Sequence, residues 1–210
     1  MYNYDLIFSD NLKAYDGIGN WTEENLVSVD GDTVNNINDM LLINVTDTDR
    51  YIYTQLNKKI YNFVFGIDFL VNTISVNNVV FFALGDAVDL SNIANFAVYF
   101  KKTATNVITV YNEDTAAIGT ISYTENQDLL KIKIKQLYFQ ETSTTGLIEV
   151  FYKNVTTDTS WAHVGSTKTQ SMGIEYVGFG NLITAGTVNM FYKNAILQEI
   201  IPNEIENDSL

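Results

Sequence analysis

Residues 129–137 read Leu-Leu-Lys-Ile-Lys-Ile-Lys-Gln-Leu, and their period decides the fold class. In an extended chain Leu130, Ile132 and Ile134 share one face, while Lys131, Lys133 and Lys135 share the other. Successive side chains of a strand point to opposite faces, so this alternation predicts a half-buried antiparallel strand. Residues 147–152 repeat the pattern, with Ile148, Val150 and Tyr152 opposing Glu149, Phe151 and Lys153. Further strands are expected at 40–45, 51–55, 61–71, 79–84, 96–101, 107–111, 118–123, 174–178 and 188–198, each rich in β-branched or aromatic residues and bounded by Asn, Asp, Gly, Ser or Thr. Only 89–95 and 22–26 suit short helical turns. Many strands at short spacing, without amphipathic helices between them, predict an all-β protein in one domain, an antiparallel β-sandwich or jelly roll rather than an α/β fold.

Composition narrows the function. The chain has 210 residues, is 46% hydrophobic and carries Lys+Arg 12 against Asp+Glu 25, a net charge of −13. A strongly acidic chain is a poor match for phosphate backbones or anionic membranes, so neither nucleic acid nor membrane is an expected partner. The most apolar region, residues 61–84, is broken by Gly66, Asp68, Asn72, Ser75, Asn77 and Asn78 and does not read as a bilayer-crossing helix. The absence of cysteine removes disulfides, thiolate metal sites and cysteine nucleophiles. The N-terminal "MYNYDLIFSDN" lacks a basic segment followed by an apolar core, so no signal peptide is read there. Residues with A+T-rich codons abound, which associates the chain with a low-GC bacterium or its phage. Residues 1–202 are expected to form the sandwich, and 203–210 an acidic tail.

Phe-Tyr-Lys-Asn occurs twice, at 151–154 and 191–194. A propeller repeats about every 40–45 residues, but it would need a third copy in register, and residues 108–114 supply none. The first copy is expected to end a strand and turn, with Asn154 tolerating the left-handed conformation; the second is expected to run on through a longer strand.

From Asp128 onward an amphipathic strand leads to "GLIEVFYKNV", then a polar stretch, then "GIEYVGFGN", then "AGTVNMFYKNAILQEI". This order resembles the concanavalin A-like (laminin-G-like) jelly-roll superfamily of lectins and glucanases. The opening "LIFSDNLKAYDGIGNWT" is similar to the "F-x-D-D-F…W" start of bacterial members. The resemblance implies a single antiparallel β-sandwich, a jelly roll of concanavalin A-like type, and it brings in glycan chemistry and structural calcium as expectations.

Each candidate site has a plainer structural reading. Glucanases of this superfamily place Glu-x-Asp-x-(x)-Glu on one strand, and retaining hydrolysis needs two carboxyls roughly 5–5.5 Å apart. No Glu-x-Asp-x-(x)-Glu occurs here; Glu149, Glu175 and Asp68 stand alone on their strands. His163 is the only histidine and no Gly-x-Ser-x-Gly elbow accompanies it, so no enzyme is expected. Asp30, Asp32 and Asp39 in "DGDTVNNIND" concentrate oxygen ligands suited to Ca2+, against an Asx-rich turn between strands. Trp161 sits in the polar stretch "TTDTSWAHVGSTKTQ", where an exposed ring would stack on a sugar face while Asp158 and His163 hydrogen-bond its oxygens. The alternative is a ring folded over a sheet edge. The Lys131/Lys133/Lys135 stripe would meet an acidic neighbouring subunit or an anionic glycan, or else pair with acidic residues across strands.

Together these features predict a non-enzymatic structural or interaction protein: a phage-type virion surface component such as a capsid decoration, fibre or tail module. It would sit on a virion or extracellular surface, or otherwise in the cytoplasm, with protein partners in an assembly or further copies of itself. The alternative is a carbohydrate-binding module or, behind both, a glycan-cleaving enzyme.

Overall fold

Among the described residues, sixteen strands pair into two antiparallel sheets. The structure, a computed structural model, describes residues 2–10, 12, 22–24, 33–37, 40–76, 79–87, 92–138, 145–183 and 185–202. The first sheet holds β1 (Tyr2–Asp10), β3 (Thr33–Ile37), β4 (Met40–Thr46), β6 (Phe63–Ile74), β11 (Leu129–Tyr138), β12 (Gly146–Asn154), β13 (Ala162–His163), β14 (Lys168–Gln170) and β16 (Thr187–Pro202). Its order is β13-β12-β11-β6-β16-β4-β3, with β14 beside β12 and β1 beside β16. The second holds β2 (Thr22–Glu24), β5 (Arg50–Ile60), β7 (Val80–Gly85), β8 (Phe96–Ala104), β9 (Val107–Asn112), β10 (Ala117–Ser122) and β15 (Ile174–Asn181), in the order β10-β9-β8-β7-β15-β5-β2. Consecutive strands that lie in different sheets mark the crossovers of a jelly roll.

The alternation that predicts strands also sorts their faces. In β6, Phe63, Phe65, Ile67 and Phe69 point inward; in β11, Leu130, Ile132 and Ile134 do so. They meet Phe82, Phe100 and Phe179 of the opposite sheet. Phe82 stacks on Phe65 at 5.4 Å and on Phe179 at 5.4 Å, and lies 5.2 Å from Phe100. Tyr192 of β16 is fully buried beside Phe179, and its hydroxyl donates to the Phe81 carbonyl at 2.7 Å. A buried phenol needs such a partner, because an unpaired one would forfeit its hydration without return.

The outer faces differ. On the second sheet Tyr51, Val80, Ala83, Phe96, Tyr99 and Leu182 form a second buried cluster, with Tyr99 stacked on Tyr111 at 4.9 Å. That face is already covered. Among the described residues the outer face of the first sheet is not, and Leu6 and Ile196 stand exposed on it.

Several expectations change. Residues 22–24 are a strand paired with β5, not a helical turn. Of 89–95, Ile93–Asn95 form one 3-10 turn, capped by Asn92 Oδ1 accepting from the Ala94 N–H. Within "DGDTVNNIND", Thr33–Ile37 are themselves a strand on β4 rather than part of a turn; Asp30, Asp32 and Asp39 lie outside the described residues, as does the tail 203–210. The recurring tetrapeptide does serve two contexts. β12 ends at Asn154 and turns, while β16 runs on beyond Asn194. The left-handed residue is Asn194, however, at φ 55°, and not Asn154. β16 pairs with β4 up to Tyr192 and with β1 from Ala195, and its register against β6 shifts between Lys193 and Ile196. The bulge at Asn194 is where one edge of the strand changes partner.

Burial also fixes how this core meets alkali. It pushes the Tyr99 hydroxyl up to about 12, with the nearby Tyr111 adding to the shift, and raises Tyr192 well above the ordinary tyrosine value. Tyr123 is raised too, by burial first and then by Glu125 beside it. The unfolded chain releases these protons near pH 10, while the folded protein retains them, so stability falls as pH rises beyond about 10. Thermal melts are expected to show no loss from these groups between pH 7 and 9 and a declining Tm between pH 10 and 11.5.

Candidate functional site

Three cross-strand rows cross the uncovered face. Directly opposed residues of paired strands share a face, so the register places them. The first row runs Lys153, Lys131, Asp68, Lys193 through β12, β11, β6 and β16. The second runs Phe151, Lys133, Gly66, Ile196. The third runs Glu149, Lys135, Val64, Gln198 and continues to Leu6 of β1.

Gly66 sits at the centre of this grid and contributes no side chain. The gap it leaves is a cleft of about 370 Å³, lined by Val64, Gly66, Asp68, Lys131, Lys133, Trp161, Asn194, Ile196 and Gln198 with backbone of the strands beneath. That volume lies within the roughly 300–1,000 Å³ of small-molecule sites. Packing does not demand a glycine here. A Cβ at Gly66 would meet only the Ile132 carbonyl oxygen, at 3.8 Å, and would point into the cleft.

One wall is Trp161, 42% exposed, and the facing wall is Ile196, 40% exposed. Trp161 is held by an ammonium: Lys133 Nζ lies 5.0 Å from the centroid of its ring and 4.8 Å from that of Phe151. A cation placed between two π faces is attracted to both, which fixes the angle of the indole. At the polar end Asp68, its side chain only 8% exposed, accepts from Asn194 Nδ2 at 2.8 Å and lies 3.5 Å from Lys131 Nζ. The left-handed bulge delivers Asn194 to this carboxylate. Lys131 and Asp68 are direct cross-strand partners, so this part of the lysine stripe does pair across strands.

Of the residues singled out in the sequence, Trp161, Lys131, Lys133 and Asp68 line the cleft. Asp158 and His163 do not. Asp158 closes the turn after β12, accepting the Asn154 N–H at 2.9 Å. His163 stands edge-on to Phe151 at 4.9 Å, with Nε2 3.8 Å from Glu149 Oε1 and Nδ1 3.1 Å from the Gly165 carbonyl. It supports the ring that flanks Lys133. Gly66, Asn194, Ile196 and Gln198 escape a linear reading, and Asp68 figures there only as a lone catalytic carboxylate. The one available signal was Gly66 itself, since a glycine inside a strand marks a bulge or a close approach by a ligand. Among the described residues, no group of three or more His, Asp or Glu side chains could hold a metal ion.

No family model matches the chain, and no curated protein matches it by sequence. Solved structures do match by shape. The VIP36 exoplasmic/lumenal domain in its Ca2+/Man3GlcNAc-bound form aligns with TM-score 0.55 and 8% identity, over 90% of this chain and 89% of that one. Cellulose induced protein Cip1 aligns with TM-score 0.59 and 12% identity, over 90% and 96%. A GH43 glycoside hydrolase aligns with TM-score 0.61 and 10% identity over 91% of this chain, which spans 40% of that enzyme. At such identities the likeness establishes the fold and nothing finer. The fold is that of a jelly-roll sandwich of the concanavalin A-like type.

Proposed function

We propose that the protein binds carbohydrate in the cleft over Gly66. The observation that carries this reading is the pairing of a held, exposed indole with a bare floor and a polar end. A sugar ring has an apolar face that packs on an aromatic wall, and a rim of hydroxyls that need donors and acceptors. Trp161 and Ile196 supply the wall, Gly66 leaves room for the ring, and Asp68, Asn194, Lys131 and Gln198 supply the polar groups. Asp68 can accept from two hydroxyls; the amides and ammonium can donate.

The VIP36 structure was solved with Man3GlcNAc bound, which lends weight to glycan recognition on this fold. The virion reading has no comparable support, and the binding module displaces it. For bond cleavage the cleft offers one carboxylate, Asp68, whereas double displacement uses two roughly 5–5.5 Å apart. The lining therefore suits binding. For calcium, this cleft supplies no ligand cluster, and the aspartates expected to bind it lie outside the described residues.

The test is a glycan array probed with wild-type protein and with Trp161→Ala. The wild type is expected to bind. The variant is expected to lose about ten- to a hundredfold in affinity, the worth of roughly 1.5–3 kcal/mol of apolar contact. A folded wild-type protein that binds no glycan on the array contradicts the reading.

A further inference from the structure

The charge of the three rows carries a second conclusion, about which sugars the cleft takes. The chain as a whole has a net charge of −13. Yet the rows that frame the cleft hold five lysines, Lys131, Lys133, Lys135, Lys153 and Lys193, against two carboxylates, Asp68 and Glu149. Both carboxylates are engaged. Asp68 serves Asn194 and Lys131, while Glu149 accepts from Thr167 Oγ1 at 3.3 Å and faces His163. Five of the chain's twelve Lys and Arg residues thus stand in the rows that frame one cleft.

Lys133 is the sharpest case. Among the described residues, its contacts are the ring faces of Phe151 and Trp161, and its ammonium stands at the wall of the cleft. The two rings displace water from the ammonium without neutralising it. An anion arriving in the cleft meets a charge whose position is already set and whose hydration is already reduced. The Trp161 ring and this charge are adjacent, so a ligand that stacks on the indole brings its substituents beside Lys133.

We infer that the cleft selects anionic sugar chains, with Lys133 reading the acidic group of the sugar that stacks on Trp161. This rests on the carbohydrate-binding reading above and specifies its ligand class. The shared chemistry is a negative charge on a sugar ring, and a carboxylate or a sulfate ester would each supply it.

Two matched pairs test the inference. Polygalacturonate is compared with its carboxyl-reduced form, and dextran sulfate with dextran, by titration against tryptophan fluorescence and by calorimetry. At least one anionic polymer is expected to bind about tenfold or more tighter than its neutral counterpart, as a charge-assisted hydrogen bond warrants. The polymer that shows the preference identifies the acidic group as carboxylate or sulfate. Lys133→Met keeps an apolar stem between the rings but removes the charge, and it is expected to reduce the preference to within about twofold. Lys133→Arg restores a cation over the rings and is expected to recover most of it. Equal binding of charged and neutral polymers overturns the anionic class while leaving carbohydrate binding intact. Full preference retained by Lys133→Met removes Lys133 from the role. Binding of none of the four polymers, with a silent glycan array, defeats both readings together.

Discussion

Replacing Gly66 with leucine is expected to abolish glycan binding, by more than about a hundredfold, and to leave the sandwich folded. The inserted side chain would occupy the volume on which a sugar ring must lie, between Trp161 and Ile196. The backbone permits it. Gly66 is not among the residues of positive φ, and the nearest atom to a Cβ is the Ile132 carbonyl oxygen at 3.8 Å. Gly180 makes the contrast: φ there is +132°, and a Cβ would lie 2.3 Å from the Arg50 carbonyl oxygen. A glycine inside a strand is worth roughly 0.5–1 kcal/mol less than alanine, so Gly66→Leu should melt at or slightly above the wild-type temperature. Isothermal calorimetry and a thermal melt on the same preparation separate lost binding from lost fold. Wild-type affinity in a stable variant would place the ligand elsewhere.

The largest effect on stability is expected at Phe82. Its ring is in contact with Phe65 of the first sheet and with Phe100 and Phe179 of its own, so it joins the two layers. Phe82→Ala removes a fully buried ring from the centre of the sandwich, where strands on both sides limit collapse into the cavity. Such truncations cost about 3–5 kcal/mol, from lost transfer free energy and the residual cavity together. For a chain of this length each kcal/mol lowers Tm by roughly 2–4 °C, so a fall on the order of 10 °C is expected. Chemical denaturation should show a lower midpoint with an unchanged slope. A loss under about 1 kcal/mol would mean that the sheets close over the gap.

What the sequence disclosed follows from where each strand sits. β11 and β12 are half-buried and alternate strictly, so their period was legible residue by residue. β7 is buried throughout and was legible as a short apolar run. β1 and β3 were not, because "YNYDLIFSD" and "TVNNI" carry little apolar alternation and take their structure from β16 and β4. The two Phe-Tyr-Lys-Asn copies make the same point at single-residue scale. Asn154 and Asn194 have identical predecessors, and only Asn194 is left-handed, because only there does a strand change neighbours.

The site divides in the same way. Trp161 was legible as an aromatic residue in a polar stretch, and the lysine stripe as a period-two row. The cleft itself was not. It exists only when residues 64–68, 131–135 and 194–198 are laid side by side, and that alignment is a property of long-range register. Asp158 and His163 lie within three residues of Trp161, yet a turn and an edge strand point them to other work.

The most direct test of the central claim is chemical-shift mapping of the isotope-labelled protein with the tightest-binding oligosaccharide from the glycan array. The account predicts the largest shifts at the Gly66 amide, the Trp161 indole N–H and the Asn194 side-chain amide, with little change over the aromatic cluster of the opposite sheet. Shifts confined to other loops, with Gly66 and Trp161 undisturbed, would contradict it.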